Sequence, residues 1–421
     1  MTQRPGRSTA DEVTGVLRIG SDPAADDVRG SILRLAERFR PADARGIDAV
    51  WVVDITGHQP YTIHVRAGRC LISPGAIDAP AARLVTDAVT WLDIVSGRLD
   101  GVGAFQAGRL VVHGDLNLAV RLETMFTPGP AATRLLRTVH TDVKGVEIES
   151  IVAGAGTPVL LLHGLAASKV SFLPTLDGLA DRHEVHALDL PGFGKSDKPA
   201  PHGKRYSAPW MADVVHGYMA RNRIREAYLV GNSMGGRIAA EVALRHPRSV
   251  RGFVGLGSAV AFDQYQRFGP MIRLLRSQWL GLAPVPIRRE WIEAGLRELF
   301  HDPSALPAQN LRAAAEDTML HLRDRGYRLA VLACARHLGA ERATGRNSYW
   351  GRLCDLQVPS LWIFGDRDVL VHHRYAARVT ESLPHAQVEV WNNIGHVPQF
   401  EAPERTNAAV SDFIARIEAG H

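Results

Sequence analysis

Cysteine is scarce in this chain: there are three in 421 residues, Cys70, Cys334 and Cys354. They are widely spaced and form no C-x-x-C pair, so the sequence predicts no disulfide framework and no metal site, and it fits a reducing cytoplasm. No segment approaches the ~18 uninterrupted apolar residues of a membrane span, and the polar stretch 1–8 has no apolar signal core. Basic runs interleaved with aromatic residues are also missing, which argues against a nucleic-acid partner.

The composition is that of a globular protein with an ample core, because 46% of the residues are hydrophobic and 22% are charged. A chain of this length is expected to hold more than one domain. A proline- and glycine-rich stretch at 127–132 separates two regions of different periodicity. The predicted parts are a flexible N-terminus (1–21), a small first domain (22–126), a linker (127–140), a larger core in two segments (141–257 and 351–421) and a helical cap between those segments (258–350).

The most informative motif is G-x-S-x-G at residues 231–235, with Ser233 at its centre. The apolar run 226–230 before it predicts a buried strand, and residues 234–244 after it predict a helix. A serine on a tight turn between a strand and a helix is held up from the end of the sheet, above the helix N-terminus. Ser233 is therefore the predicted nucleophile.

A serine hydroxyl attacks poorly until a base takes its proton. His396 and two acidic residues, Asp366 and Asp368, each follow a predicted strand, at the edge where ligand sites lie in open α/β sheets. The order serine, acid, histidine is the one expected after such a turn. We favour Asp368 as the acid that orients His396, because Asp366 directly follows the turn glycine and is better placed to hydrogen-bond within its loop. Asp366 is the alternative.

An oxyanion hole needs backbone N–H groups that point at one spot. The N–H of Met234, directly after the nucleophile, is one predicted donor. The loop after the strand 158–162 opens with His163, Gly164 and Leu165. We expect the N–H of Leu165 to be the second donor, and His163 and Gly164 to contact substrate.

Residues 141–421 resemble the α/β-hydrolase superfamily, in the branch of small esterases, lactonases and carbon–carbon bond hydrolases. The resemblance is carried by L-L-H-G (161–164), L-D-L-P-G-F-G-K-S-D (188–197), G-N-S-M-G-G (231–236), V-P-S-L-W-I-F-G-D-R-D (358–368) and G-H (395–396). It implies an α/β hydrolase fold, with a mostly parallel central sheet, helices on both faces and a helical cap. We expect no cofactor. Epoxide hydrolases and haloalkane dehalogenases of this superfamily use an aspartate nucleophile, so Ser233 argues against both.

The first 125 residues show a different pattern. It predicts an amphipathic helix at 26–39, strands at 49–54, 61–65 and 70–72, a helix at 81–96, and a final pair of strands at 109–112 and 116–122.

This first region resembles the sterol carrier protein type 2 domain over about residues 22–125. The resemblance is carried by W-L-D-I-V-S-G-R-L-D (91–100), A-F-Q-A-G (104–108) and L-V-V-H-G-D-L-N-L (110–118). It implies a small α+β domain whose sheet is covered by helices, with an apolar tunnel for an acyl chain, a sterol or an acyl thioester. The alternative is that the apolar residues only fill a core and the domain serves for packing or for forming a homodimer.

The cap region contains four helix-length runs, at 266–279, 289–300, 309–323 and 327–338. The first run is amphipathic and basic, and no acidic residue occurs from 264 to 289. Its basic face has three possible interpretations: solvent exposure, peripheral contact with an anionic membrane, or recognition of an anionic head group.

The favoured hypothesis is a serine hydrolase that cleaves an ester, lactone or thioester of a hydrophobic acyl substrate through an acyl-enzyme on Ser233. The first domain would then hold lipid or mediate dimerisation. An acyltransferase or cyclase with the same nucleophile is one alternative. A lipid carrier or scaffold with an inactive hydrolase domain is the other.

Overall fold

The structure is a computed structural model that describes residues 23–132, 135–259, 288–341 and 345–420. Two sheets organise it, one of five strands and one of eight.

The N-terminal sheet has the strand order β3-β2-β1-β4-β5 and is antiparallel except for the parallel pair β1 and β4. Its strands are β1 (Asp48–Ile55), β2 (Tyr61–Arg66), β3 (Arg69–Pro74), β4 (Ala82–Thr86) and β5 (Leu110–Gly114). Its helices are α1 (Pro23–Leu35), α2 (Ala88–Ser96), α3 (Gly101–Gln106) and α4 (Leu116–Thr124). Three of these helices begin with an aspartate whose side chain accepts a backbone N–H of the first turn, which satisfies a donor that the helix leaves unpaired. The capping residues are Asp87, Asp100 and Asp115.

Two of the predicted elements in this domain are wrong. Residues 116–122 form the helix α4 and not a strand, since Asp115 caps α4 and its buried residues Leu116, Ala119 and Leu122 recur with helical spacing. The alternation of apolar and other residues in L-N-L-A-V-R-L has the two-residue period typical of a strand, which explains the wrong prediction. The helix predicted at 81–96 is two elements, because β4 ends at Thr86 and α2 begins only after the cap at Asp87.

The larger sheet has the order β13-β12-β11-β10-β8-β9-β7-β6. It is parallel from β9 to β13, and β7 and β6 are added antiparallel at one edge. Its strands are β6 (Arg137–Val143), β7 (Val146–Ala153), β8 (Thr157–Leu162), β9 (His183–Leu188), β10 (Ala227–Asn232), β11 (Val250–Leu256), β12 (Ser360–Gly365) and β13 (Gln387–Trp391). β6 begins at Arg137, so this sheet takes in the last residues that the sequence assigned to the linker.

Helices cover both faces of the larger sheet, and a separate apolar core fills each side. The helices of this domain are α5 (Leu173–Leu179), α6 (Ala208–Arg221), α7 (Met234–Arg245), α11 (Tyr349–Leu353), α12 (Tyr375–Ser382), α13 (Pro398–Glu401) and α14 (Pro403–Glu418). Because all parallel strands end at the same edge, the loops after β8, β10, β12 and β13 meet there.

The described part of the cap supplies α8 (Arg289–Arg297), α9 (Ala308–Arg323) and α10 (Arg325–Gly339). These helices match three of the predicted runs, and the fourth, 266–279, lies outside the described residues. α9 packs against β5, the edge strand of the N-terminal sheet. Ala313 of α9 is buried within the core of the N-terminal domain. The cap therefore contacts both domains.

Candidate active site

Ser233 stands at the turn between β10 and α7 with φ 53° and ψ −114°. This combination of a positive φ and a negative ψ is a sparsely populated conformation that costs a non-glycine residue about 1–3 kcal/mol and that clusters at functional sites. Both flanking positions require glycine, because the backbone packs too closely there for a side chain. A Cβ on Gly235 would lie 1.9 Å from the Leu162 carbonyl oxygen, and one on Gly231 would lie 2.3 Å from the carbonyl carbon of Gly235. The Ser233 N–H donates to the Leu256 carbonyl at 2.9 Å. The strained serine is thus fixed by the sheet beneath it.

His396 and Asp368 form a buried pair after β13 and β12. The Nδ1 atom of His396 lies 2.8 Å from Oδ2 of Asp368, and both side chains are almost fully buried. The other carboxylate oxygen, Oδ1, accepts the N–H groups of Leu370 at 2.7 Å and Val371 at 2.8 Å. With Nδ1 donating to the carboxylate, the Nε2 atom of His396 is left as the acceptor, which is the protonation state that a general base requires.

Asp366 has a different environment from Asp368. Its Oδ1 atom accepts the N–H of Asn393 at 2.7 Å, and its own N–H donates to the Trp391 carbonyl. These bonds shape the loop that carries His396. The structure therefore places Asp368, and not Asp366, against the histidine.

Three further contacts hold the histidine loop in place. The N–H of His396 donates to the carbonyl of Leu299, which belongs to the cap, at 2.6 Å. The side-chain amide of Asn232, next to Ser233, donates to the His396 carbonyl at 2.9 Å. Glu401 accepts the N–H of Gly395 at 2.7 Å. These residues were not predicted from the sequence. Asn232 lies inside the G-x-S-x-G motif, which is a usable signal, whereas Leu299 acts through a backbone carbonyl and has no signal in the sequence.

The two predicted oxyanion donors lie beside Ser233. Met234 is the first residue of α7, and Leu165 follows Gly164 on the wall of the cavity that contains Ser233. Within the described part of the chain, neither the Met234 nor the Leu165 N–H has an intramolecular acceptor. The absence of a side chain at Gly164 eases the close approach of this loop, because a Cβ there would lie 3.2 Å from Oδ1 of Asn232.

His163 does not reach the cavity, contrary to the expected substrate contact. Its ring is fully buried, Nδ1 donates to the Gly164 carbonyl at 2.7 Å, and the Leu190 N–H donates to Nε2 at 3.0 Å. Burial lowers the pKa of His163 to about 4, although nearby Asp189 opposes the change. The imidazole is therefore neutral and shapes the loop that presents Gly164 and Leu165.

Ser233 and His396 open into a cavity of about 1260 Å³. Gly164, Leu165, Leu370 and several apolar cap residues line it, together with residues of the N-terminal domain. Apolar residues predominate.

The wall also carries an acidic group, Glu123 of α4. Burial raises the pKa of its carboxyl to about 7, and Asp100 and Asp177 add to this effect. The N–H of Gly101 binds the carboxylate and opposes the rise.

Comparison with known protein families assigns one family to each of the two sheet-containing regions. Residues 157–403, more than half of the chain, match the family described as alpha/beta hydrolase fold. The chain belongs to this family of α/β hydrolases. Residues 32–127 match the SCP-2 sterol transfer family. Both resemblances predicted from the sequence are confirmed.

Several of the similar proteins are esterases and hydrolases. The pimeloyl-(acyl-carrier protein) methyl ester esterase of Aeromonas hydrophila is 25% identical over 266 residues, which are 62% of this chain and 96% of the esterase. The 2-hydroxy-6-oxononadienedioate/2-hydroxy-6-oxononatrienedioate hydrolase of Paraburkholderia phymatum is 31% identical over 274 residues, which are 62% of this chain and 89% of that hydrolase. A solved bacterial membrane phospholipase A is 27% identical with a TM-score of 0.55, over 67% of this chain and 87% of the phospholipase. These similarities support the assignment as a hydrolase.

One further observation concerns membranes. In the ranges that the structure covers, no helix combines the length and the apolar character needed to cross a bilayer.

Proposed function

We propose that the protein is a serine hydrolase that cleaves a carboxylic ester, lactone or thioester of an apolar acyl group. The observation that carries this proposal is the strained Ser233 turn opening into the same apolar cavity as the His396–Asp368 pair. Serine, a base and an orienting acid form the constellation that activates a hydroxyl for acyl transfer.

The proposed reaction has two halves. Ser233 Oγ attacks the substrate carbonyl while His396 Nε2 takes the hydroxyl proton, and the Met234 and Leu165 N–H groups stabilise the oxyanion. His396 then gives its proton to the leaving alcohol or thiol, and an acyl-enzyme remains. In the second half, His396 takes a proton from water, the water attacks the acyl carbon, and Ser233 recovers its proton as the acid leaves. Asp368 accepts the Nδ1–H of His396 and stabilises the imidazolium throughout.

Replacement of the nucleophile tests the proposal. Ser233→Ala should abolish turnover of p-nitrophenyl butyrate and labelling by a fluorophosphonate, with an unchanged circular dichroism spectrum. Ser382→Ala, at the end of α12 and off the cavity wall, is the control and should keep both properties. Undiminished turnover by the Ser233→Ala protein would refute the assignment. Product analysis with an added alcohol separates hydrolysis from acyl transfer.

A further inference from the structure

The cavity that contains Ser233 does not end at the boundary of the hydrolase domain. The same continuous space is lined by Ser233 and His396 and by Val53, Ile94 and Phe105 of the N-terminal domain. Those last three residues come from the strand β1 and the helices α2 and α3, which are the sheet and the cover of that domain. The interior of the N-terminal domain and the nucleophile of the hydrolase therefore share one space.

The join between the domains is built from specific contacts, and α9 of the cap makes several of them. Gln309 donates to the Gly108 carbonyl at 3.1 Å, and Asn310 donates to the Phe105 carbonyl at 3.0 Å. The fit at Gly108 is close, because a Cβ there would lie 2.7 Å from the Gln309 amide nitrogen. The cap helix thus closes one wall of the shared space against the N-terminal sheet.

A second set of contacts joins α4 to the hydrolase. Arg121 and Glu149 form a buried ion pair of 2.6 Å, and Lys169 donates to the Asn117 side-chain oxygen at 2.9 Å. A further bond runs from the Leu116 N–H to a carboxylate of α9. Such fully buried polar contacts fix the position of α4, whose residues also line the cavity.

The size and chemistry of this space define its ligand. Its volume of about 1260 Å³ exceeds the range of about 300–1,000 Å³ that is usual for small-molecule sites. Most of the wall inside the N-terminal domain is made of aliphatic and aromatic side chains, with a few charged ones such as Arg38, Arg98 and Glu123. The proposed reacting groups, Ser233 and His396, belong to the hydrolase part of the wall. A long apolar chain with one ester or thioester group at its end matches this distribution.

We propose that the N-terminal domain is the chain-binding half of a single composite active site. The substrate is an ester or thioester of a long-chain apolar acid, with its chain inside the N-terminal domain and its carbonyl carbon at Ser233. The proposal rests on the proposed function, because it takes Ser233 as the nucleophile. It differs from a tethered carrier domain, which would hold a lipid at one site and pass it to another. In the composite site, one molecule occupies both domains, so occupation of Ser233 by a long chain excludes any other lipid from the N-terminal domain.

Covalent occupation of Ser233 tests this exclusion on the whole protein. A fluorophosphonate forms a bond from Ser233 Oγ to phosphorus, fluoride leaves, and the hydroxyl proton passes through His396 to solvent. The protein is labelled with a hexadecyl or a methyl fluorophosphonate, and binding of 11-(dansylamino)undecanoic acid is then followed by fluorescence.

The composite site predicts that hexadecyl labelling removes dansyl-acid binding in proportion to the labelled fraction, while methyl labelling leaves it nearly intact. The Ser233→Ala protein should bind the dansyl acid equally well with and without either reagent. Full binding after hexadecyl labelling, or no binding by the unlabelled protein, would overturn the composite site. A failure of both reagents to label Ser233 would instead overturn the proposed nucleophile.

A pair of substitutions in α2 provides an independent test. Val95 lines the cavity, whereas Val89 of the same helix is 65% exposed to solvent and lies off the cavity wall. Val95→Trp should lower kcat/KM for p-nitrophenyl palmitate at least tenfold relative to p-nitrophenyl acetate, and Val89→Trp should leave that ratio unchanged.

Turnover of the acetate shows in the same sample that the variant is folded. Val95→Phe serves as the smaller step if the tryptophan variant does not fold. An unchanged palmitate-to-acetate ratio in the folded Val95 variant would contradict the proposal.

Discussion

At the scale of single residues, the two acids after β12 have separate tasks. Asp368 faces His396 with one oxygen and accepts two backbone N–H groups with the other, whereas Asp366 accepts the backbone N–H of Asn393. An acid at the first position fixes the tautomer of the histidine and stabilises its charged form. An acid at the second position only shapes a loop.

We therefore expect the conservative change to amide to separate the two residues. Asp368→Asn should lower kcat for p-nitrophenyl butyrate by about 10⁴-fold, because an amide holds the imidazole in the wrong tautomer. Asp366→Asn keeps an acceptor for the Asn393 N–H, so it is the matched control and should change kcat by less than about tenfold. Steady-state kinetics decides the assignment, and a larger loss at Asp366 than at Asp368 would reverse it.

His163 shows how a histidine beside the site serves the fold instead of the chemistry. The pKa of about 4 in the folded protein lies below its ordinary value of 6.5. Between these values the unfolded chain binds more protons than the folded one, so the free energy of unfolding falls as the pH drops from about 6.5 to about 4. The loss attributable to His163 is about 3 kcal/mol in full.

Replacement of this ring should flatten that part of the pH profile. His163→Asn removes the titrating group, so its free energy of unfolding should depend less on pH between 6.5 and 4 than that of the unmodified protein. Urea denaturation at a series of pH values measures the difference. Parallel profiles for the two proteins would show that His163 does not titrate in this way.

At the scale of elements, much of the site can be predicted from local sequence. The glycines of G-x-S-x-G enforce the turn at Ser233 through close backbone contacts, so the motif carries its own geometry. The loops of Asp368 and His396 follow apolar strand runs, which makes their edge of the sheet predictable as well. The error at α4 has a local cause, because alternation in L-N-L-A-V-R-L fits a strand as well as one face of a helix.

The cavity could not be predicted from local sequence. Its walls meet through contacts such as Asn310 with Phe105, which are 205 residues apart in the chain. Leu299 holds the loop of His396 through its backbone carbonyl, which every residue type has, so this contact cannot be recognised from the sequence. Such long-range contacts depend on how the domains pack, and the hydrophobic periodicity of the sequence carries no information about that packing.

The aspartate at the start of α4 offers a test of what makes this segment a helix. Asp115 caps the helix by accepting the Leu118 N–H at 2.9 Å, and it also pairs with Lys195 of the hydrolase domain. Asp115→Ala removes both interactions and should lower the free energy of unfolding by more than the ~1 kcal/mol expected for a lost cap alone.

Asp100→Ala is the matched control, because Asp100 caps α3 through the Gly103 N–H and no ion pair joins it to another part of the described chain. Urea denaturation of the two variants should show the larger loss for Asp115→Ala. Equal losses would mean that the contact with Lys195 contributes nothing measurable.

At the scale of the whole molecule, a buried charge network joins the domains. Lys169 is fully buried and lies 2.9 Å from Glu149 and 2.5 Å from Asp189, two carboxylates of the hydrolase. It also reaches Asn117 of α4, and Glu149 in turn pairs with Arg121 of α4. Burial alone would lower the pKa of Lys169, but the two carboxylates outweigh it and raise that pKa, so the lysine stays charged.

Removal of this one cation should affect both domains together. Lys169→Met leaves the buried carboxylates of Glu149 and Asp189 without their shared partner, and loss of one partner from a buried ion pair costs about 3–5 kcal/mol. Lys195→Met is the control: Lys195 also bridges the domains, through Asp115, but its side chain is 26% exposed, so its loss should cost about 1 kcal/mol or less. Thermal and urea denaturation measure the stability loss of each variant. Turnover of a palmitate ester should also fall in the Lys169→Met protein at temperatures where the unmodified protein is still active. A loss of stability at Lys169 no larger than that at Lys195 would mean that the buried network is not what holds the N-terminal domain on the hydrolase.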